Sequence, residues 1–468
     1  MNEERRCHFA YVPIRTLRTA WAALAAIVLS FVNSGGEQIL ERGATTIGVL
    51  LGLAVLLLAV IVCYFLRWRK TFISLEPEQL IIDRRTINKR RTTVRLSTIA
   101  SVNLRQGVLE RLFGVYRLQL DINSAATADS TDFDLIFSRG VALELRDALI
   151  AANDPLTAQA ITTDAEQQPL ISFGFGQVIR HCLLSLSIGS IFFAGVGALL
   201  WEWQLRVSAA GGQVSWTPVI IAMAPAVWQS LKPFFIYHHF RVRKSGEHVD
   251  ISYGLISSQR FSLPLDKTNA IIIRRPALAR LFGLCCGEMI NVGMGSAEER
   301  QAPLFCLLVS ERQMYELLLK IAPDYAHAGL LPHSPPRAVY PALASWTLLG
   351  LLVSAAALIF ARWWLALLLP VALLSGYCQY RCQELALFDD KISISSGVFS
   401  KRNITVEYRR LQQLWYKTGP LARRIGVARG GVSILSSSAS KHNSIGYFGL
   451  DDYAFIERAM LDAANKKR

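Results

Sequence analysis

The sequence predicts a multipass membrane protein of mixed α and β structure, built from one unit that is used three times. Three observations support this prediction. The composition is 52% hydrophobic and only 18% charged, whereas soluble proteins average about 25% charged residues. Six apolar runs occur in three pairs, and each pair precedes a segment of short strand-like runs that ends in a helical pattern. One motif recurs in each of those segments.

The repeated motif places the three units in a common register. Its copies are residues 105–114, 274–283 and 417–426. Each copy begins with a base, has Gly or Pro two positions later, and ends in an apolar residue followed by Gly. An isoleucine lies 32 residues before each closing Gly, at Ile82, Ile251 and Ile394. A spacing that is identical in three places indicates three copies of one small domain.

The apolar runs predict six transmembrane helices in three hairpins. The runs are Ala20–Val32, Ala44–Leu66, His181–Trp203, Trp216–Tyr237, Val339–Phe360 and Trp363–Tyr377. One crossing needs about 20 residues, so the first and sixth runs are short. Two crossings return the chain to its starting side, so all three domains lie on one face. Lys and Arg collect on that face, and the positive-inside rule therefore predicts an inner (plasma) membrane protein with cytoplasmic domains and termini.

The elements follow the same order in each unit. In the first unit, four strand-like runs precede the motif, two follow it around a polar loop, and a helix over 141–152 closes the domain. Ser310 begins a capping box at the closing helix of the second unit. The predicted boundaries are 1–68 for the N-terminal segment and hairpin 1, 69–153 for domain 1, 170–240 for hairpin 2, 241–323 for domain 2, 338–380 for hairpin 3, and 381–468 for domain 3.

No pattern in the sequence predicts catalysis. A His-Glu-x-x-His zinc motif, a Gly-rich phosphate loop with Lys, and a Gly-x-Ser-x-Gly elbow are all absent. The eight cysteines are scattered and include no Cys-x-x-Cys, which favours free thiols in a reducing compartment. Adjacent side chains such as His238 and His239 diverge, so packing is favoured over metal binding. We predict no enzymatic activity, no cofactor and no metal. The membrane runs explain the net charge of +15 without nucleic acid.

The motif resembles that of a known family. Leu109–Gly114, Leu278–Gly283 and, more weakly, Leu421–Gly426 resemble the motif of the bacterial pleckstrin-homology (YdbS/YdbT-like) membrane proteins. The three-unit layout resembles the YdbT type, and the resemblance covers nearly the whole chain. It implies that each domain is a small pleckstrin-like β-barrel with a C-terminal helix, and it implies no established ligand and no catalytic residues. The third copy departs most, because Arg424 and Ile425 replace the Leu–Phe pair.

Basic residues recur at two fixed offsets in the motif. They are Arg105, Arg111, Arg274, Arg280, Lys417 and Arg423. Guanidinium donors match phosphate oxygens, so we predict that these bases bind anionic membrane lipids or a membrane-associated partner protein. Residues 67–122 hold 12 basic and 5 acidic residues, and residues 401–429 hold 8 and 1, a net charge of +7 in each. The alternative is that these charges are solvated and only set the topology.

The remaining motif residues are predicted to be structural. They are Leu109, Phe113, Gly114, Leu278, Phe282, Gly283, Leu421, Ile425 and Gly426. The apolar side chains would plug one end of the barrel, and each Gly would permit the turn into the next strand. The predicted function is a non-catalytic scaffold or envelope-stress role. Transport of a small molecule or lipid is the alternative, although the apolar runs hold few of the ionisable residues that mark transport.

Overall fold

The structure is a computed structural model, and it divides into two compact units. It describes residues 5–20, 43–76, 78–85, 89–96, 99–122, 133–153, 169–186, 188–212, 216–255, 257–291, 304–326, 332–359, 368–434 and 442–465. Unit 1 comprises Met1–Asp121, Asp132–Gln167 and Ile256–Phe261, and unit 2 comprises Ile122–Thr131, Gln168–Leu255 and Ser262–Arg468.

The described part of unit 1 contains two helices, then six strands that are interrupted by the short motif helix, and a closing helix. In chain order they are α1 (residues 11–20), α2 (Gly43–Arg69), β1 (Thr71–Leu75), β2 (Gln79–Arg85), β3 (Lys89–Arg95), β4 (Ile99–Gln106), α3 (Val108–Leu112), β5 (Val115–Ile122), β6 (Phe133–Ser138) and α4 (Arg139–Asn153). Strands β1, β2 and β3 form one antiparallel sheet, and β4, β5 and β6 are neighbours in another. The motif helix α3 therefore separates the fourth strand from the fifth.

Unit 2 begins with three helices and a second strand set. These are β7 (Ile171–Ser172), α5 (Phe175–Leu184), α6 (Ile188–Ala209), α7 (Thr217–Tyr237), β8 (Arg241–Ser245), β9 (His248–Tyr253), β10 (Ser258–Pro264), β11 (Thr268–Arg275), α8 (Ala277–Leu281), β12 (Leu284–Asn291), β13 (Leu304–Ser310) and α9 (Glu311–Ile321). The first residues of β10 belong to unit 1. Ser310 accepts a hydrogen bond from the Gln313 amide at 3.4 Å, so the predicted capping box is present.

The third strand set follows two more helices in unit 2. Its elements are α10 (Val339–Ile359), α11 (Leu368–Arg381), β14 (Glu384–Leu387), β15 (Lys391–Gly397), β16 (Lys401–Glu407), β17 (Leu411–Lys417), α12 (Pro420–Ile425), β18 (Val427–Ile434), β19 (His442–Gly449) and α13 (Leu450–Asn465). Strands β13, β12, β11, β16, β15 and β14 form one sheet in that order, and β17, β18 and β19 form another. The fourth strand of the second set therefore pairs with the third strand of the third set.

The core of unit 2 lies between these sheets and the closing helix α13. Ile272, Ile394 and Val432 are fully buried, and Tyr453 and Ile456 of α13 pack into the same cluster. The closing helix α9 buries Met314, Leu317, Leu318 and Ile321, a spacing that places all four on one face of a helix. Each closing helix thus completes a core that the strands leave open.

The predicted apolar helices agree with the structure to different degrees. The second run lies within α2, and helices α7 and α10 contain the fourth and fifth runs except for Trp216 and for Phe360, which lies outside the described residues. The third run is interrupted. Helix α5 ends at Leu184, with Ser185 as its C-cap, and α6 begins at Ile188 and continues to Ala209. In the described part of the sixth run, residues 368–377, the chain is helical, and α11 continues to Arg381. Residues 21–42 and 360–367, which include the first run and the third hairpin turn, lie outside the described residues.

One helix of the described chain, α7, has the length and apolar composition to cross a membrane. Pro225 and Pro233 lie inside it. The arrangement of six crossings in three hairpins therefore stays a prediction.

Candidate functional site

The three motif copies form the same local structure. Each begins at the end of a fourth strand, forms a short helix (α3, α8 or α12), and ends at a glycine. The closing glycines Gly114, Gly283 and Gly426 have φ of 63°, 64° and 75°. This left-handed conformation is strained for residues with a Cβ, so Gly is the residue that the turn requires. We call residues 111–114, 280–283 and 423–426 the motif tips.

The motif tips expose apolar side chains. Leu112 and Phe113 are 78% and 40% exposed, and Leu281 and Phe282 are 79% and 67% exposed. These four side chains therefore do not plug the end of a barrel. The third copy exposes Leu421 and half-buries Ile425. Leu109 and Leu278, earlier in the motif helices, are half-buried. In each of the first two copies, two neighbouring exposed apolar residues therefore form a small apolar surface on the turn.

The six predicted binding bases fall into two environments. The first base of each copy lies on the fourth strand, where Arg105 and Arg274 are half-buried and Lys417 is exposed. The second base of each copy, Arg111, Arg280 or Arg423, lies exposed at a motif tip. Arg280 Nη1 donates to Cys382 Sγ at 3.1 Å. The structure therefore brings the second bases, and not the first, beside the exposed apolar residues.

Arg274 is held in the sheet by a buried carboxylate. Its Nη2 lies 3.0 Å from Glu288 Oε1, and the Glu288 side chain is 4% exposed. Arg402 lies opposite Arg274 on β16. Burial raises the pKa of Glu288, while the charges of Arg274 and Arg402 partly lower it. Arg274 thus lies at the junction of two strand sets, a position that the motif spacing alone does not predict.

The motif helices lie next to the helices that lead into the predicted hairpins. In unit 1, Arg18 Nη2 of α1 donates to Glu110 Oε1 of α3 at 3.1 Å, and Leu109 packs against Ala10 and Ile14. In unit 2, α8 contacts α5. The third motif helix α12 contacts the start of α10 and the turn Pro336–Ala338 before it. Each motif helix therefore lies beside a helix that leads into, or belongs to, a predicted apolar run.

Glu110 is a buried charge that the sequence analysis did not select. Its side chain is 1% exposed and forms an ion pair with Arg117, which is 4% exposed. The other two motif helices bury Ala279 and Ala422 at the same position. The sequence contained a signal for this pair. Glu110 is the only acid in the three motif copies, and the same copy has Arg117 at the position where the second copy has Cys286.

A second basic surface lies on the β2–β3 hairpin of unit 1. Arg84 lies opposite Arg90, and Arg85 lies opposite Lys89. All four side chains are exposed, and Arg85 also contacts Asp83 at 2.7 Å. Like charges on directly opposite residues destabilise a strand pair. This hairpin therefore concentrates positive charge on the surface of unit 1.

The expectation that the His238 and His239 side chains diverge is wrong, because the two rings contact each other where His239 has a φ of 54°. His238 Nδ1 and His239 Nδ1 are 2.7 Å apart, and the His238 ring packs edge-on against Phe175 and Phe234. Within the described residues, no three His, Cys, Asp or Glu side chains are grouped as a metal site would need. The arrangement of His238 is that of a packed side chain at the end of α7.

The sequence profile of the bacterial PH domain matches residues 22–152, 188–312 and 343–464. The chain belongs to the bacterial PH domain family. The three matches also establish that the domain is repeated. The chain is 20% identical over 489 residues to "UPF0699 transmembrane protein YdbT" of Bacillus subtilis (strain 168), and the alignment covers 97% of this chain and 98% of that protein. No solved structure matches the chain.

Proposed function

We propose that this bacterial PH domain protein is a non-catalytic membrane scaffold whose motif tips contact anionic lipid. The observation that supports this proposal best is the exposed Leu–Phe pair beside an exposed Arg at each of the first two motif tips. Such a tip suits the membrane interface, where apolar side chains enter the acyl region and a base remains among the phosphates. The proposal therefore assigns lipid contact to Arg111, Arg280 and Arg423 rather than to all six predicted bases.

The magnitudes favour apolar insertion assisted by charge. Burying one Leu or Phe contributes about 1.5–3 kcal/mol, and one base near an anionic leaflet contributes about 1 kcal/mol. A single tip therefore binds weakly. Tips on one chain act together because each holds the others at a high effective concentration. The third tip, with Arg424 in place of Leu, is expected to contribute mainly charge.

Membrane anchoring is part of the same proposal. Helix α2 exposes Val55, Leu56 and Leu58 over about three-fifths of their surfaces, and an apolar patch of that kind is unfavourable in water. The relative from Bacillus subtilis is named a transmembrane protein. We propose that the apolar helix pairs anchor the chain in the inner membrane, with the domains and both termini in the cytoplasm.

The orientation predicts which side of the membrane reacts with an impermeant maleimide. Ala210→Cys, between α6 and α7, is expected to label in intact spheroplasts, because this connection lies outside. Lys417→Cys, on an exposed domain strand, is expected to label only after permeabilisation. Labelling is measured above the background of the native thiols. The opposite pattern would invert the topology.

Lipid contact is tested by photocrosslinking in the full-length protein. We replace Phe282 with p-benzoylphenylalanine, reconstitute the protein in nanodiscs, and measure lipid adducts by mass spectrometry. We expect adducts at this position because the ring would lie at acyl depth. The matched control places the same label at Phe455, an exposed ring on the closing helix α13. Equal lipid labelling at the two positions would remove the motif tip from the proposal.

A partner protein and transport are the competing functions. Adducts of the Phe282 label to protein rather than lipid would favour a partner. Transport is less well supported by the described helices, since Glu202 and Arg206 of α6 are both exposed and pair with each other at 2.5 Å one turn apart. Intramembrane charges of transporters usually face the bundle interior. Substrate flux into proteoliposomes would establish transport instead.

A further inference from the structure

Strand sets pair with each other in two places. In both, the fourth strand of one set pairs with the third strand of the next set in the same register. In unit 2, β11 pairs antiparallel with β16, and Arg274 lies opposite Arg402. In unit 1, residues Ser258–Arg260 of β10 pair antiparallel with β4, and Arg105 lies opposite Gln259. In both cases the first base of the motif faces the second residue of a third strand. The pairing of a fourth strand with the next third strand is therefore a rule of this chain.

Two of the described strands that this rule would pair, β3 and β17, each have a partner on one side only. Among the described strands, β3 pairs with β2 alone, and β17 pairs with β18 alone. Strand β3 is the third strand of the first set, and β17 is the fourth strand of the third set. Exposed sheet edges of this kind accept another strand unless charge, proline or a covering element prevents it.

The edge strands β3 and β17 resemble the strands that pair within the chain. Residues 89–95 read Lys-Arg-Arg-Thr-Thr-Val-Arg, and residues 401–407 of β16 read Lys-Arg-Asn-Ile-Thr-Val-Glu, with four identical positions. On β17 the residues from 411 to 416 carry no charge. They include Trp415 and Tyr416, which are 38% and 48% exposed. Aromatic residues of this kind are enriched at protein interfaces.

We propose that β17 binds β3 of a second copy of this chain, so that copies associate head to tail. The internal register places Lys417 opposite Arg90, Tyr416 opposite Arg91, and Trp415 opposite Thr92 of the other copy. The sheets of the two copies would then be joined by backbone hydrogen bonds between β17 and β3, as the second and third strand sets are joined between β11 and β16. An interface between unlike surfaces gives a closed ring or an open row of copies. Both partners lie on one membrane face under the proposed topology.

Charge distinguishes this contact from the internal one. In unit 2, Glu288 pairs with Arg274 at 3.0 Å and interacts electrostatically with Arg402, whereas Gly431 occupies the position of Glu288 in the third set. Lys417 and Arg90 would therefore repel each other across the copies. Salt screens such repulsion, so association is expected to strengthen as salt rises, whereas lipid binding through bases weakens. Association that weakens with salt would contradict this register.

The test mixes two full-length variants with different tags in one detergent sample. One carries Tyr416→Cys and the other Arg91→Cys, and an oxidant is added. Opposite residues on paired strands are close enough for a disulfide, so a crosslinked product with both tags is expected. Arg90→Cys is the matched control, because neighbouring residues on a strand point to opposite faces. Equal crosslinking of the two pairs, or none, would overturn the proposal.

A second measurement does not depend on introduced thiols. Sedimentation of the full chain in detergent gives the dissociation constant of the copies, and Trp415→Lys is expected to raise it roughly tenfold or more. The β17–β18 pairing is checked by hydrogen exchange of β18, which should not change. A chain that remains monomeric at every concentration and salt would contradict the proposal. It would leave the proposed lipid contact intact, because that contact is measured on the motif tips.

Discussion

Glu110→Ala is expected to destabilise the first domain by about 3–5 kcal/mol, the range found when one partner of a buried ion pair is removed. Arg117 would keep its charge while 4% exposed, and Arg18 would lose the carboxylate that it contacts at 3.1 Å. Hydrogen exchange of β5 amides in the full-length protein measures the loss locally. This choice avoids a global unfolding curve, which has no single free energy in a chain of several domains.

A double variant separates charge burial from simple loss of packing. Glu110→Ala combined with Arg117→Cys reproduces the second copy, which holds Ala279 and Cys286 at these positions, both buried. We expect it to recover most of the lost protection. The control is Glu144→Ala, since Glu144 is 51% exposed and pairs with Arg5 at 3.3 Å; an exposed pair contributes about 0–1 kcal/mol. A double variant no more stable than the single one would contradict the explanation.

Arg274→Gln is expected to weaken the pairing of β11 with β16 by about 3 kcal/mol, the low end of the range for breaking a buried pair. The low end applies because Arg274 is 35% exposed and Arg402 remains near Glu288. Hydrogen exchange of β16 amides reports the effect, and about 3 kcal/mol corresponds to a loss of protection of roughly a hundredfold. The matched control is Lys417→Gln. Lys417 is the same motif base but is exposed on β17, so its replacement should change stability little.

The Arg274→Gln effect should depend on pH. Burial already raises the pKa of Glu288, and Arg274 partly lowers it, so the variant raises that pKa further. A carboxyl with a raised pKa in the folded protein stabilises the fold while protonated, and this contribution is lost as the pH rises through that pKa. Arg274→Gln should therefore lose more protection at about pH 8 than at about pH 5. Adding Glu288→Gln should remove the pH dependence, and a loss that is equal at both pH values would contradict this account.

These predictions assign different roles to bases that look equivalent in the sequence. Arg274 serves a junction between strand sets, Arg280 lies at a motif tip, and Lys417 lies on a free sheet edge. Lipid binding should therefore respond to Arg280 and not to Arg274, apart from effects on stability. The motif thus supplies a structural base and a surface base in the second copy, whereas both bases of the third copy are exposed.

The sequence by itself determined the repeat, the order of elements and the family. These features depend on residues close together in the chain: the fixed interval from Ile82 to Gly114 and its two copies, the paired apolar runs, and the alternation that marks short strands. It also anticipated the capping box at Ser310, because a cap is decided within four residues. The break between α5 and α6 was missed, since an apolar run shows composition but not where backbone hydrogen bonds end.

Only the tertiary structure decided which motif residues are exposed and which charges are paired. Leu112 and Phe113 look like core residues by type, yet the turn at Gly114 directs them outward. Glu110 contacts Arg18, which lies 92 residues away in the sequence, and β11 pairs with β16, which lies more than 100 residues away. Such contacts leave no local periodicity, because they depend on how distant segments pack. The candidate lipid contact and the strand pairing between copies both rest on those distant contacts.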